Sequence, residues 1–168
     1  MSFVKIVFEV GVENCNTESL WATEVDGGFM LENVPFYVMD VSYEDIVEAE
    51  QITDELAIQA LGHADKRQEV DGVDVPVKVY QFQRVIKPAA SSLFRVWYTD
   101  EDHQAASLQF DTLRELGCTV EVAYISFAAI CVPLSVHDQA CQLILDGMNS
   151  DLWNVQTGVY RNDDEDDE

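Results

Sequence analysis

Between residues 91 and 161 the chain runs strand, helix, strand, strand, helix, strand, and few folds satisfy that order. Leu93 to Thr99 reads as a strand. Asp100, Glu101 and Asp102 then stand at a helix start, where negative charge suits the macrodipole. That helix carries Ala105, Leu108, Leu113 and Leu116 at helical spacing, with Phe110 near the same face, and stops at Gly117. Thr119 to Tyr124 and Phe127 to Val132 follow as strands joined by a tight turn at Ile125-Ser126, and Pro133 closes them. Ser135 is placed to cap a second helix, with Asp138 three residues on, and the apolar face is Val136, Ala140, Leu143 and Ile144. Trp153 to Tyr160 is the last strand. This is the split βαβ, ferredoxin-like order, in which two helices cover one face of a four-stranded sheet. The other face is left for the N-terminal half or for a partner.

The N-terminal half is β-rich. Phe3 to Gly11, Glu18 to Val25 and Phe29 to Val34 read as strands, the last two joined by an Asp26-Gly27-Gly28 hairpin turn. Pro35 cannot donate to a ladder and ends the third strand. Val41 to Glu50 reads as a further strand, Ile52 to Leu61 as a short helix ended by Gly62, and Lys66 to Pro76 as an exposed loop. Val77 to Ile86 alternates as a strand with one aromatic face. Lys87-Pro88-Ala89-Ala90-Ser91-Ser92 has the composition of a linker. The expected class is therefore α+β: a small barrel-like acidic subdomain over 1–88, a ferredoxin-like subdomain over 91–161, and an acidic tail over 162–168 that is disordered by composition.

Charge is the feature that bears on partners. Nine Lys and Arg stand against 32 Asp and Glu, for a net −23. Residues 1–60 carry one base and 13 acids, residues 61–100 six bases and five acids, and residues 101–161 two bases and eight acids. Asp163-Asp164-Glu165-Asp166-Asp167-Glu168 adds the rest. Such a field disfavours nucleic acid and anionic membrane as direct ligands, and it steers basic partners inward. An acidic proteome or a need for solubility alone would give the same charge.

Chemistry-bearing motifs are sparse. Cys15, Cys118, Cys131 and Cys141 have neither a metal-ligand spacing nor an evident His partner, and three of them sit in apolar runs. His63, His103 and His137 lie in no metalloprotease or nucleophile-elbow motif, and the eight glycines are scattered as turn residues. His103 follows Asp100-Glu101-Asp102, a conceivable metal cluster but more simply a solvated helix start. No catalytic residue, cofactor or metal is expected. Met1-Ser2-Phe3-Val4-Lys5 is not built like a secretory leader, and no apolar stretch nears the ~18 residues of a membrane span, so a cytoplasmic protein is expected. Trp97 and Trp153, within strands, read as core. Glu44, Asp45, Glu48 and Glu50 form the densest folded acidic cluster, and on a regular strand Glu44, Glu48 and Glu50 share one face.

Three blocks carry a resemblance: Glu18-Ser19-Leu20-Trp21-Ala22, then Gly28-Phe29-Met30-Leu31-Glu32-Asn33-Val34-Pro35-Phe36, then Val41-Ser42-Tyr43-Glu44-Asp45-Ile46-Val47-Glu48-Ala49. In that order they resemble the bacterial domain-of-unknown-function 4265 family, with its Leu-Trp-Ala strand, Asn-Xaa-Pro-Phe turn and Tyr-Xaa-Asp-Xaa-Val strand. Leu116-Gly117-Cys118 and Val132-Pro133 are similar as well, so the likeness covers most of residues 15–160. The stretch 51–76 is longer than the family's connection, and Ala90-Ser91-Ser92 replaces its usual Ser-Gly-His or Ser-Gly-Asn turn. The resemblance implies no activity. Together with the charge it implies an immunity-type protein that neutralises a cationic, nuclease-like toxin domain by occluding its active site. Glu44, Asp45, Glu48 and Glu50 are the expected contact face, Asp100, Glu101 and Asp102 a second one, and the tail a mimic of a phosphate backbone. The alternatives are a regulatory or scaffold module for a basic host protein, and a carboxylate- or metal-dependent enzyme.

Overall fold

A computed structural model describes residues 2–12, 15–64, 66–124 and 126–161, and the acidic tail lies outside them. Within those residues the chain is a sheet-dominated mixture of eleven strands and three helices. It divides into two compact units, residues 1–33 with 44–88, and residues 34–43 with 89 onward. A single cut near residue 88 does not anticipate the excursion of 34–43 into the second unit. No helix among the described residues is long and apolar enough to cross a membrane.

The first unit is a closed five-stranded barrel. Its strands are β1 (Phe3–Val12), β2 (Cys15–Val25), β3 (Gly28–Leu31), β4 (Ile46–Gln51) and β7 (Val79–Lys87), each hydrogen-bonded to the next. Closure comes from a parallel pairing of β1 with β7, Lys5 opposite Val79 and Val7 opposite Gln81. Val4, Ile6, Phe8 and Val10 alternate along β1 and are all buried, as are Leu20, Ala22, Leu31, Val47 and Val79. Period-two alternation is what a strand with one apolar face requires. The Phe8 and Phe82 rings lie 4.7 Å apart, and Phe29 and Tyr80 4.5 Å.

Between β4 and β7 the chain makes α1 (Glu55–Ala60) and a hairpin, β5 (Arg67–Val70) with β6 (Val73–Pro76). Asp54 caps α1, its side chain accepting from the Leu56 and Ala57 N–H groups. The expected loop at 66–76 is thus a hairpin, turning on Asp71 (φ 52°) and Gly72 (φ 79°). Two successive positive φ values are the signature of a tight β-hairpin turn, and Asp-Gly favours it. Gln68 ties the hairpin to β1: its Oε1 accepts from Phe3 N at 2.9 Å, and its Nε2 donates to Phe3 O at 2.6 Å. One side-chain amide serves Phe3 as a neighbouring strand would.

The second unit is a four-stranded antiparallel sheet in the order β11 (Asn154–Val159), β8 (Ser91–Trp97), β10 (Phe127–Pro133), β9 (Thr119–Tyr124). α2 (His103–Glu115) connects β8 to β9, and α3 (His137–Asn149) connects β10 to β11. Phe94, Val96, Tyr98, Val120, Ala128, Ile130 and Val132 of the sheet share one core with Ala106, Phe110 and Leu113 of α2 and Ala140 and Ile144 of α3. The α2 stripe is therefore 106, 110 and 113. Ala105 and Leu108 face solvent, Leu108 at 66% exposure. Ser135 lies in a 3-10 turn, Leu134–Val136, and α3 starts without a side-chain cap.

Leu93, Ala129 and Cys131 form a second cluster on the sheet face opposite the helices, with Val34 and, partly buried, Phe36, Tyr43 and Val159. Segment 34–43 thus covers a face that the strand pattern leaves open. Arg95, on that face and 1% exposed, holds the segment through its guanidinium: Nη2 donates to the Val38 carbonyl, and Nη1 lies 3.0 Å from Met39 Sδ. Trp153 is buried as expected. Trp97, expected in the core, is 39% exposed, with its ring stacked on Phe127 at 4.8 Å.

Candidate acidic surfaces and cationic cluster

Glu44, Asp45, Glu48 and Glu50 do not form one regular strand face. β4 begins at Ile46, and before it Glu44 N donates to Leu31 O while Leu31 N donates to Asp45 O, both at 3.0 Å. Two residues thus oppose one, as in a β-bulge, and Glu44 takes φ 65° to do so. Asp45 is wholly buried, so it is no part of a solvent-facing surface. The register shifts again between Glu48 and Ala49. Glu44, Glu48 and Glu50 are exposed. Glu48 pairs with Arg84 at 2.5 Å, and with Ala49, Glu50 and Gln83 these two line a shallow depression. Among the described residues Glu44 and Glu50 make no ion pair.

Asp100, Glu101 and Asp102 stand on the other unit, before α2. Asp100 and Glu101 are exposed, and Asp102 is half-buried. The Asp102 carboxylate caps no helix N–H and instead accepts from Thr99 Oγ1 at 2.5 Å. The His103 ring stacks on Tyr98 at 6.0 Å. Among the described residues no three His, Cys, Asp or Glu side chains gather as metal ligands.

Two groupings escape the sequence reading. His137 and Cys141 lie one turn apart on α3, with Cys141 Sγ 3.5 Å from His137 Nε2, which is itself 3.3 Å from Ser92 Oγ. A His-x-x-x-Cys spacing inside a helix is the signal that finds this pair. A nucleophilic cysteine needs a lowered pKa. Burial, then the Asp138 carboxylate, raises that of Cys141 instead. Cys118 is pushed up further, to about 11, by burial and then by Cys131 and Cys141. Ser92 Oγ also accepts from Arg161 N at 2.9 Å, and Arg161 Nη1 donates to Ala89 O at 2.9 Å. Ser92, His137 and Arg161 fasten the end of the last strand.

The second grouping is cationic and lies on the barrel unit. Lys5 Nζ sits 4.1 Å from the centroid of the Trp21 ring and 3.5 Å from Ser19 O. Burial, and then the nearby Lys66 ammonium, lowers the Lys5 pKa to about 8. His63 is 8% exposed, and its pKa is lowered by burial, then by Lys5 and Lys66. Beside Trp21, a cleft of about 380 Å³ is lined by Phe3, Trp21, Glu32, Asn33 and Gln68. Asn33 Oδ1 accepts from Trp21 N at 3.0 Å, and Glu32 accepts from Thr23 Oγ1.

Compared with known proteins, residues 69–155 match the model of the family described as domain of unknown function (DUF4265). No curated protein matches the chain. Among solved structures, a hypothetical protein from Neisseria gonorrhoeae is similar over 94% of both chains, at 13% identity and a TM-score of 0.59. At that identity the likeness is one of fold.

Proposed function

The chain belongs to the family of the domain of unknown function DUF4265, and from that premise we propose that it acts without catalysis, as a cytoplasmic binding module for a basic protein. Its sharpest form is an immunity-type protein that covers the active site of a cationic, nuclease-like toxin. The observation that carries this reading is charge left unneutralised. Among the described residues Glu44 and Glu50 project from the barrel unit without an ion pair, and the unit's exposed acids engage cations only at Arg84–Glu48 and Arg67–Asp74. Bare carboxylates steer a cationic partner and set its salt dependence. We read the barrel as the carrier of the contact face, and the other unit as a ferredoxin-like frame with Asp100 and Glu101 as a second acidic patch. Asp45, being buried, supports the face from beneath. A regulatory module for a basic host protein would use the same surface.

The test is a pull-down of the tagged full chain from its own cells, then titration of the identified partner at rising salt. Glu44→Gln/Glu50→Gln removes two exposed charges worth ~0.2–1 kcal/mol each, so affinity falls about two- to thirtyfold at low salt. An affinity indifferent to salt refutes the electrostatic reading. A gene neighbour encoding a large secreted protein with a variable C-terminal domain favours the toxin over a host partner.

A further inference from the structure

The barrel unit gathers cations where the chain as a whole is acidic. Lys5 N donates to Lys78 O at 2.9 Å, Val77 N to Lys66 O at 3.0 Å, and Lys66 N to His63 O at 3.0 Å. These bonds bring Lys66 and His63, on the connection before β5, to the strand that carries Lys5. Among the described residues neither Lys5, His63 nor Lys66 makes an ion pair, in a chain with 32 Asp and Glu. His63 Nδ1 is buried and has no hydrogen-bond partner among the described residues. A buried ring nitrogen without a partner loses its hydration and gains nothing in return. Lys5 is partly buried, and the Trp21 ring and one long carbonyl contact are weak substitutes for a counter-charge.

We propose that Lys5, His63 and Lys66 form the seat of a small oxyanion, a phosphate or carboxylate group, on the barrel unit. An anion there supplies what each group lacks: a counter-charge for the two ammonium groups and an acceptor for a protonated imidazole. Like charges and burial each disfavour protonation and so depress the proton affinities of Lys5 and His63. A bound anion opposes both effects. The seat does not depend on how the acidic surfaces are used.

The test titrates inorganic phosphate, and in a separate arm acetate, into the full chain at constant ionic strength, following the His63 ring by NMR. A saturable shift with a raised His63 pKa is expected. Lys5→Met should weaken it about tenfold or more, as loss of a hydrogen bond to a charged group does. Lys5→Arg should retain it, which separates lost charge from a damaged fold. Saturation by phosphate alone assigns the seat to phosphate-bearing ligands, and saturation by both assigns it to oxyanions generally. A shift that only follows anion concentration linearly, or one equal in Lys5→Met, overturns the proposal.

Discussion

Gly147 lies in the last turns of α3, buried, directly beneath Trp153. A Cβ at this position would stand 2.3 Å from Trp153 Cε2, 2.5 Å from Cζ2 and 2.6 Å from Nε1. The indole cannot easily yield. Trp153 is 3% exposed, stacks on Phe110 at 5.5 Å with an interplanar angle of 5°, and donates from Nε1 to Ile144 O at 2.9 Å. Gly147→Ala therefore forces the ring or the helix to move. Overpacking a core costs about 1–3 kcal/mol, and three contacts this short point to the upper end. Displacing the indole N–H from its carbonyl adds about 1 kcal/mol. Alanine's better helix propensity offsets about 1 kcal/mol. The expected net loss is about 3 kcal/mol, read as a lowered urea midpoint by circular dichroism and tryptophan fluorescence. Trp153→Phe removes the obstructing atoms, so Gly147→Ala should cost much less in that background. An alanine variant as stable as the wild type, or an equal cost in both backgrounds, refutes this account of the packing.

At Glu44 the positive φ should make Glu44→Gly more stable than Glu44→Ala by about 1 kcal/mol, because only glycine takes the left-handed region without strain. A pH series on wild type and Lys5→Met isolates the Lys5 amine. Its folded pKa, about 8, lies below the unfolded value of 10.5, so between them the unfolded chain binds more protons. The stability of wild type relative to Lys5→Met should therefore rise as pH climbs from 8 to 10.5, measured by urea midpoints. Cys118, with its thiol pushed up to about 11, works in the opposite direction above its ordinary value of 9.0 and cancels in that difference. Arg95→Met should cost about 2 kcal/mol, since the Val38 carbonyl loses a charged donor, and should increase proteolytic cleavage within 34–43.

Some of this architecture is plain in the residues. The element order of 91–161 is legible because Gly117, Pro133 and the apolar periods punctuate it clearly. The α2 face is read correctly at Phe110 and Leu113 but not at Ala105 and Leu108, because Leu108 is apolar yet exposed while Ala106, a smaller signal, faces the core. The 66–76 hairpin could have been found from Asp71-Gly72, but β5 is polar and the Val73-Asp74-Val75 alternation of β6 is too short to mark a strand. The acidic cluster at 44–50 misleads for a different reason. A period-two reading assumes a regular strand, and neither the bulge at Glu44 nor the register shift after Glu48 leaves a mark in composition. Lys5 and His63 are distant in sequence, and the chain's return along β7, with the Gln68 tie to Phe3, brings their segments together.

The passage of residues 34–43 into the second unit has a consequence for synthesis and for cutting the gene. The chain crosses between its units three times, so neither unit is a contiguous stretch of sequence. A fragment starting at Ala89 would leave Leu93, Ala129 and Cys131 uncovered, an apolar face prone to association. The complementary fragment, ending at Pro88, would carry Val34 and Phe36 without the sheet they cover. On the ribosome the covering segment emerges well before that sheet exists. Until then it is a loop of the barrel, held at Leu31 and Glu44, and the second core closes only when both pieces of chain have been made.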